Sequence, residues 1–480
     1  MSVVELLALL PIIVIAAAAV VVMLVIALRR DERLAAALAV IGVVLTIAAL
    51  PVSLQMAPTQ ATPLLVIDHF ALFFMGLLLA AGLAVVLFCY GYFSKREGQN
   101  EELYLLLLTT LLGAMVLVAS SHFATFFLGL ETLSVSLFAL IAYPFKNKMS
   151  LEAGLKYLIL SGVSSAFLLF GIALIYGEVG TLFFQQIGAL LRNSGGGDLA
   201  VLIGIIMIIG AMGFKLSLVP FHLWTPDVYQ GAPAPISALI ATVSKGAVFA
   251  VLLRYFVASH AYDFDALFVL ISAIALLSIL IGNLLALLQN NVKRILAYSS
   301  IAHMGYLLVA FVALNRIGSQ LTVETISFYL TAYLVTTLGA FGIVAVLSSA
   351  ETEADALEDY RGLFWRRPWL AGCFTAMLLS LAGIPLTAGF IGKFYLFVAG
   401  VDGGLWLLLL VLIMCSGIGL YYYLRIVFQM VKAPAGQEEQ TDGAMPWPGG
   451  VALSVLTVLL LWLGVLPGGF MALVQGMAPP

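Results

Sequence analysis

The chain has 480 residues, of which 63% are hydrophobic and only 9% charged. No soluble fold of that length has enough interior to hide so much apolar surface, so a polytopic membrane protein is the class that fits. The formal charge of −3 comes with no basic patch and no nucleic-acid motif, so nucleic acid is excluded as a partner.

A transmembrane helix needs about 20 apolar residues. Fourteen predicted spans follow in chain order: 4–28, 34–54, 69–93, 103–120, 123–143, 155–178, 200–223, 236–258, 266–288, 295–314, 324–349, 369–399, 404–430 and 449–474. The first carries Glu5 and no Lys or Arg before Leu28, and it is too long for a signal h-region, so it reads as a retained span. Arg29, Arg30 and Arg33 follow it and place the 29–33 loop in the cytoplasm. Alternating from there puts Lys95, Arg96, Lys146, Lys148, Lys293, Arg294, Arg361, Arg366, Arg367 and Lys432 on the cytoplasmic side. The outer side keeps Arg192, Arg316 and, near a helix end, Arg254. With an even number of spans, both termini are expected outside. The longest loop, near 350–368, is acidic and then basic, and reads as a solvated linker or as a docking surface.

A shift of about 172 residues lays one part of the chain on another. Lys156-Tyr157-Leu158, Val163-Ser164-Ser165 and Phe170-Gly171-Ile172 match Phe328-Tyr329-Leu330, Val335-Thr336-Thr337 and Phe341-Gly342-Ile343. The same shift lays Glu131 on His303. The repeat is five helices long, and five is odd, so the second copy is expected upside down in the membrane, as in transporters built around a midplane site. Spans seven and twelve, again five apart, are each interrupted by proline: Gly213 to His222 contains Pro220, and Leu381 to Lys393 contains Pro385. A proline frees a backbone carbonyl that must find water or a polar partner in lipid. The expected fold is all-α, with about fourteen transmembrane helices and two inverted five-helix repeats, each holding a broken helix. Its parts are a three-helix segment at 1–102, repeats at 103–258 and 266–430, and a C-terminal loop and last helix at 431–480.

Charges inside apolar runs carry the functional signal. Lys156, Lys215, Lys245, Lys393 and Glu131 each disfavour insertion by about 2.5–3.5 kcal/mol, and such residues mark ion or proton pathways. Lys245 is about ten residues into its span, with no escape to either surface. Lys215 and Lys393 flank the helix breaks. Lys156 is close enough to the cytoplasmic end to snorkel. Glu131 is the acidic residue nearest a span centre, and His303 shares its repeat position. A nearby carboxylate favours a charged lysine, while burial disfavours it. Moving Glu131 toward or away from a lysine is therefore an electrostatic switch. Ser161, Ser164 and Ser165 are candidates to line a water wire, or to pack helices closely. His222 and Asp227 read as residues that hold the following loop, and His69, His122 and His260 as interfacial. No CxxC, HExxH, Gly-x4-Gly-Lys or strand-borne GxGxxG is present, and Cys89, Cys373 and Cys415 lie scattered in apolar runs. No cofactor or metal is therefore expected in this chain.

The residues from Gly213-Phe214-Lys215 through Pro220-Phe221-His222-Leu223-Trp224-Thr225-Pro226-Asp227 resemble the antiporter-like membrane subunits of respiratory complex I, the NADH:quinone oxidoreductase. So do Ala232-Pro233-Ala234-Pro235, Ser244-Lys245, Lys293-Arg294, Tyr298 to Tyr306, and Leu381 to Phe394, and the likeness covers nearly the whole chain. The lysine at 393, and the lack of a lateral helix at the C-terminus, separate it from other members of that family. The resemblance implies a switching pair, Glu131 and Lys215, with Lys245 as central lysine, His303 as bridge and Lys393 on the exit side. It implies protons moving from cytoplasm to periplasm across a bacterial inner membrane. The partners are then the other complex I membrane subunits and the lipid bilayer, with the quinone pool acting indirectly. NADH, FMN, iron–sulfur clusters and quinone would be bound by those partner subunits. A cation/proton antiporter subunit and a membrane hydrogenase subunit share this architecture and are the alternatives. A passive scaffold with paired charges explains neither helix break.

Overall fold

The computed structural model describes residues 2–96, 98–193, 199–433 and 447–478. The C-terminal loop expected after span thirteen falls largely at 434–446, outside the described residues. The helices are α1 (Val3–Ala8), α2 (Leu10–Leu28), α3 (Glu32–Leu54), α4 (His69–Phe93), α5 (Glu101–Val118), α6 (Phe123–Ile141) and α7 (Lys148–Val179). They continue with α8 (Phe184–Asn193), α9 (Leu199–Leu216), α10 (Trp224–Gly231), α11 (Ala234–Leu239), α12 (Lys245–Ser259), α13 (Asp265–Leu287) and α14 (Val292–Ile317). The last are α15 (Ser319–Leu347), α16 (Leu363–Arg366), α17 (Pro368–Ala382), α18 (Ala388–Asp402), α19 (Trp406–Val431), α20 (Trp447–Val465) and α21 (Pro467–Val474). A two-stranded antiparallel hairpin, β1 (Thr59–Thr62) and β2 (Leu65–Ile67), joins α3 to α4. Short polar side chains start several helices. Asp31, Asp68, Asn147 and Asn291 accept from first-turn amides of α3, α4, α7 and α14, and so satisfy donors that a helix leaves open.

Thirteen helices among the described residues are long and apolar enough to cross a membrane. The remaining expected span, the twelfth at 369–399, falls on α17 and α18. Each has 15 residues, about 22 Å at 1.5 Å per residue, too short to cross about 30 Å of hydrocarbon singly but long enough together. The break between them runs from Gly383, at φ 87°, to Leu386, at φ 71°. Span seven also ends early. α9 stops at Leu216, Ser217 adopts φ 64°, and Pro220 lies beyond the helix rather than within it.

Burial orders the bundle. The continuous Ala234–Ser259 segment is wholly enclosed, and α14 and α15 are nearly so. These three crossings are buried on every side, and the ionisable and hydroxyl side chains they carry face other helices rather than lipid. Around them lie helices with one lipid-type face: α7 exposes Leu155, Ile159 and Phe170. Close approach of α7 and α9 depends on Gly171 and Gly204. A Cβ on Gly171 would lie 2.6 Å from the Gly204 carbonyl oxygen, so both positions need glycine. This contact sets the separation of Lys215 from the serines of α7.

The acidic segment after α15 leaves Glu351, Glu358 and Asp359 exposed, but Glu353 and Asp355 bind it to the bundle, so it is not a free linker. Asp355 accepts from the Val292 amide at 2.6 Å, Leu357 donates to the Asn290 carbonyl at 3.1 Å, and the Asp355 carboxylate accepts from Asn291 at 2.6 Å. Glu353 accepts from the Lys293 amine, the Tyr92 hydroxyl and, at 2.9 Å, the Ala234 amide. The segment therefore ties α4, α11 and α14 together.

Candidate functional site: a buried amine and hydroxyl series

The first half of the bundle gathers Glu131, Lys215 and three serines. Lys215 is in the last turn of α9 and is 2% exposed. Its amine donates to Ser134 of α6 and Ser161 of α7, both at 2.6 Å. Glu131, half-buried at the middle of α6, accepts from Ser165 at 2.5 Å. Glu131 and Ser134 are three residues apart, Ser161 and Ser165 four, so each pair shares one helix face. Two faces thus meet around one ammonium. Among the described residues Glu131 and Lys215 make no ion pair: serines hold them apart. Ser164 instead donates to the Ala211 carbonyl at 3.0 Å, a packing bond between α7 and α9. Backbone groups at the break beside Lys215 find partners. Trp224 donates to the Phe214 carbonyl at 3.0 Å, the Leu218 amide reaches Gly213, and Ser278 of α13 takes the Val219 amide.

An aromatic layer follows. The Lys215 amine is 5.7 Å from the centre of Tyr157, which contacts Trp224, which contacts Tyr229. The Tyr229 ring lies 5.6 Å from the amine of Lys245. Lys245 is fully buried and opens α12 directly after a π-helical turn, Ile240–Ser244. Such turns add a residue within a helix and recur at functional sites. The Lys245 amine donates to Ser300 at 2.6 Å, and Ser300 bonds Tyr333 at 2.6 Å.

Ser300 and His303 are one turn apart on α14. His303 is 4% exposed, and both ring nitrogens are engaged: Nδ1 with Tyr329 at 2.8 Å and Nε2 with Tyr423 at 3.3 Å. A neutral imidazole donates with one nitrogen and accepts with the other, so exchanging tautomers passes a proton across the ring. Tyr423 also bonds Ser299. Beyond lies a second polar group, in which Asn283 donates to Tyr306 at 2.9 Å and accepts from Tyr422 at 3.1 Å. The Lys393 amine is 5.3 Å from the Tyr306 ring. Half-buried in the second turn of α18, Lys393 reaches back to the break, donating to the Ala382 carbonyl at 2.7 Å and to Ser416 at 2.8 Å.

Lys156 stands apart from this series. Its side chain is 41% exposed and pairs with Glu152 and Asp227, each at 2.8 Å. Asp227 also pairs with Arg294 at 2.8 Å. Burial works to raise the Asp227 carboxyl, but the hydrogen bonds from Lys156 and Arg294 hold it below the usual carboxylate range. His122 caps α6, His69 opens α4 and His260 closes α12, all at helix ends.

Several partners were not singled out from the sequence: Ser134, Tyr229, Ser300, Tyr329, Tyr333, Ser416 and Tyr423. Two buried ion pairs were missed as well. Lys293, assigned to a loop, is fully buried against Glu353. Arg254 pairs with Asp68 at 2.7 Å, both nearly inaccessible. No group of three or more His, Cys, Asp or Glu able to hold a metal occurs among the described residues.

Residues 120–419, more than half the chain, match the family described as NADH:quinone oxidoreductase/Mrp antiporter, TM. The chain belongs to this family. Lys156, Lys215, Lys245 and Lys393 all fall inside the matched segment, as do Glu131 and His303. A Methylococcus capsulatus protein named NADH-quinone oxidoreductase subunit N is 53% identical over 97% of this chain and 94% of its own length. Among solved structures, a chain of respiratory complex I from Thermus thermophilus with bound aureothin is 31% identical, with a TM-score of 0.82, over 97% of this chain and 100% of that one. A chain of the Mrp complex from Dietzia sp. superposes with a TM-score of 0.85 over 99% of this chain and 96% of that one, but at 19% identity it shares the fold alone.

Proposed function

We propose that this chain carries protons across the membrane through its buried amines. It is a membrane subunit of a proton-pumping NADH:quinone oxidoreductase, and other membrane subunits are its partners. Glu131 and Lys215 form the switch, Lys245 is the central carrier, His303 bridges the halves, and Lys393 releases the proton to the outer side. Lys156, with Asp227 and Arg294, shapes the cytoplasmic approach. Two inverted repeats, 103–258 and 266–430, follow a 1–102 segment and precede the last helix. Both termini face the periplasm of a bacterial inner membrane. Electrons pass from NADH to quinone through FMN and iron–sulfur clusters in partner subunits, so this chain contributes translocation and no redox centre.

The observation that carries this reading is Lys245, an amine with no exposure whose bonded neighbours are Ser300 and then Tyr333. A buried ammonium persists in a membrane bundle when charge transfer requires it. The serine-separated arrangement of Glu131 and Lys215 is the open arm of the switch. With the carboxylate withdrawn, the lysine loses the partner that favours its charged form and passes its proton inward. The energy comes from the redox partners, since one charge moved across 100 mV takes about 2.3 kcal/mol. The test compares Glu131→Gln with Glu102→Gln, a half-exposed carboxylate paired to Arg30 at a helix end. In vesicles containing the assembled complex, the first loses NADH-driven acidification and the second keeps it. Equal acidification in both would end the switch reading.

A further inference from the structure

His303 and Lys393 are consecutive in the pathway above, yet among the described residues no hydrogen bond joins one to the other. His303 bonds Tyr329 and Tyr423, whereas Lys393 bonds the Ala382 carbonyl and Ser416. The side chain in contact with both is Tyr306 of α14. Its ring meets the His303 ring in a T-shaped contact with centres 5.5 Å apart. The Lys393 amine lies over the same ring, 5.3 Å from its centre. Tyr306 itself is buried.

Asn283 of α13 holds the ring in that place. Its amide nitrogen donates to the Tyr306 hydroxyl at 2.9 Å and to the Ile279 carbonyl at 2.8 Å, and its oxygen accepts from Tyr422 of α19 at 3.1 Å. Both amide hydrogens are used, so the orientation of the group is fixed. The reach from α13 to α14 depends on two glycines, Gly282 just before Asn283 and Gly305 just before Tyr306. A Cβ on Gly282 would lie 2.7 Å from the Ala302 amide nitrogen, and one on Gly305 would lie 2.9 Å from that of Ile279. Small residues let the two backbones come this close. The Asn283–Tyr306 bond is therefore built into the helix pair, and Tyr422 locks it from a third helix. An asparagine amide does not ionise, so this group anchors the phenol rather than carrying charge.

We propose that Tyr306 is a positioning residue for the exit-side lysine: its ring stabilises Lys393 as an ammonium, and Asn283 keeps the ring at that post. The face of an aromatic ring is negative, and it attracts a cation within about 6 Å of its centre, most strongly where water is excluded. The hydrogen-bond partners of Lys393 are a peptide carbonyl and a serine, both uncharged. The ring therefore adds its attraction to a neutral set of acceptors. It sets how readily Lys393 takes up the proton that arrives by way of His303. This rests on the reading of Lys393 as the exit-side carrier.

The assembled complex is prepared with Tyr306→Phe and with mono-, di- and trifluorinated phenylalanine inserted at the same position. Fluorine draws electrons from the ring face and barely changes its size, so packing stays level while the attraction for a cation falls. NADH-driven acidification in vesicles drops stepwise along the series, several-fold by the trifluorinated ring, while native gels and thermal unfolding match Tyr306→Phe. A flat or rising series overturns the role of the ring. Asn283→Leu and Tyr306→Phe each lower acidification, and the two together lower it no further, because both break the same bond. Losses that multiply in the double variant overturn the anchoring by Asn283. Should the fluorinated complexes fail to assemble, Tyr306→Leu and Tyr306→Met decide, since each fills space without a ring. Both lose acidification several-fold, and parent-level acidification in either one overturns the proposal. Lys393→Ala is run alongside. Full acidification there removes the lysine from the pathway, whereas impaired acidification there with a flat fluorine series removes the ring alone.

Discussion

Replacing Lys245 with methionine separates the amine from the volume it fills. Lys245 is wholly buried, and its one hydrogen bond, to Ser300, survives on the far side as the Ser300–Tyr333 bond. Losing a bond from a charged donor removes about 1.5–3 kcal/mol. Removing a lysine charge from the middle of a membrane helix returns about 2.5–3.5 kcal/mol. Methionine is close to lysine in length and volume, so almost no cavity opens, and hydrophobic replacement of a buried charge is often neutral or stabilising. The two terms nearly cancel, and Lys245→Met assembles within about 1–2 kcal/mol of the parent. Lys245→Ala adds a cavity and is the poorer folder, by about 2–5 kcal/mol on the scale of large-to-small core changes. The assay is paired. Native gels and thermal unfolding of the solubilised complex report assembly, and dye quenching in vesicles reports NADH-driven acidification. Methionine keeps the first and abolishes the second. Normal acidification by the methionine complex would refute the role of this amine.

At Lys393, alanine loses the bonds to Ala382 and Ser416 and impairs acidification, whereas glutamate, when protonated, still donates to Ala382 and keeps part of it. Gly389→Ala places a Cβ 1.9 Å from the Ser380 carbonyl oxygen, so assembly falls sharply on native gels. Asp227→Asn loosens Lys156 and Arg294 and lowers stability at pH 7 by about 1 kcal/mol or less, because the pairs are partly exposed. The Asp227 carboxyl is held below its ordinary value, so its contribution is present above about pH 4 and fades as pH falls through the lower folded-state value. Thermal scans of parent and variant therefore converge in acid. A gap that persists there would show that the carboxylate charge is not what stabilises this corner.

The five charges in apolar runs were legible because each contradicts its surroundings, and the two breaks because Gly and Pro interrupt otherwise continuous spans. The bonded partners were not. Ser300, Tyr333 and Tyr423 lie on helices buried nearly all round or packed among others, where periodicity no longer tells one face from another. Serine and tyrosine are also ordinary packing residues there. Lys293 looked like a loop charge because its sequence neighbours are polar, while the carboxylate that buries it, Glu353, arrives 60 residues later. The same distance hid Asp68 from Arg254, 186 residues away. The π-helical turn before Lys245 has no proline or glycine to announce it.

The broken span of α17 and α18 gives Lys393 a companion unlike that of Lys215. Near Lys215 the negative group is the Glu131 carboxylate, a side chain of ionisable type. At Lys393 it is the Ala382 peptide oxygen, at the C-terminal pole of a half-helix, where aligned dipoles leave partial negative charge. A peptide oxygen holds no ionisable hydrogen, so its pull is the same in acid and in alkali. One end of the lysine series is therefore adjustable, and the other sits in a constant field set by the backbone.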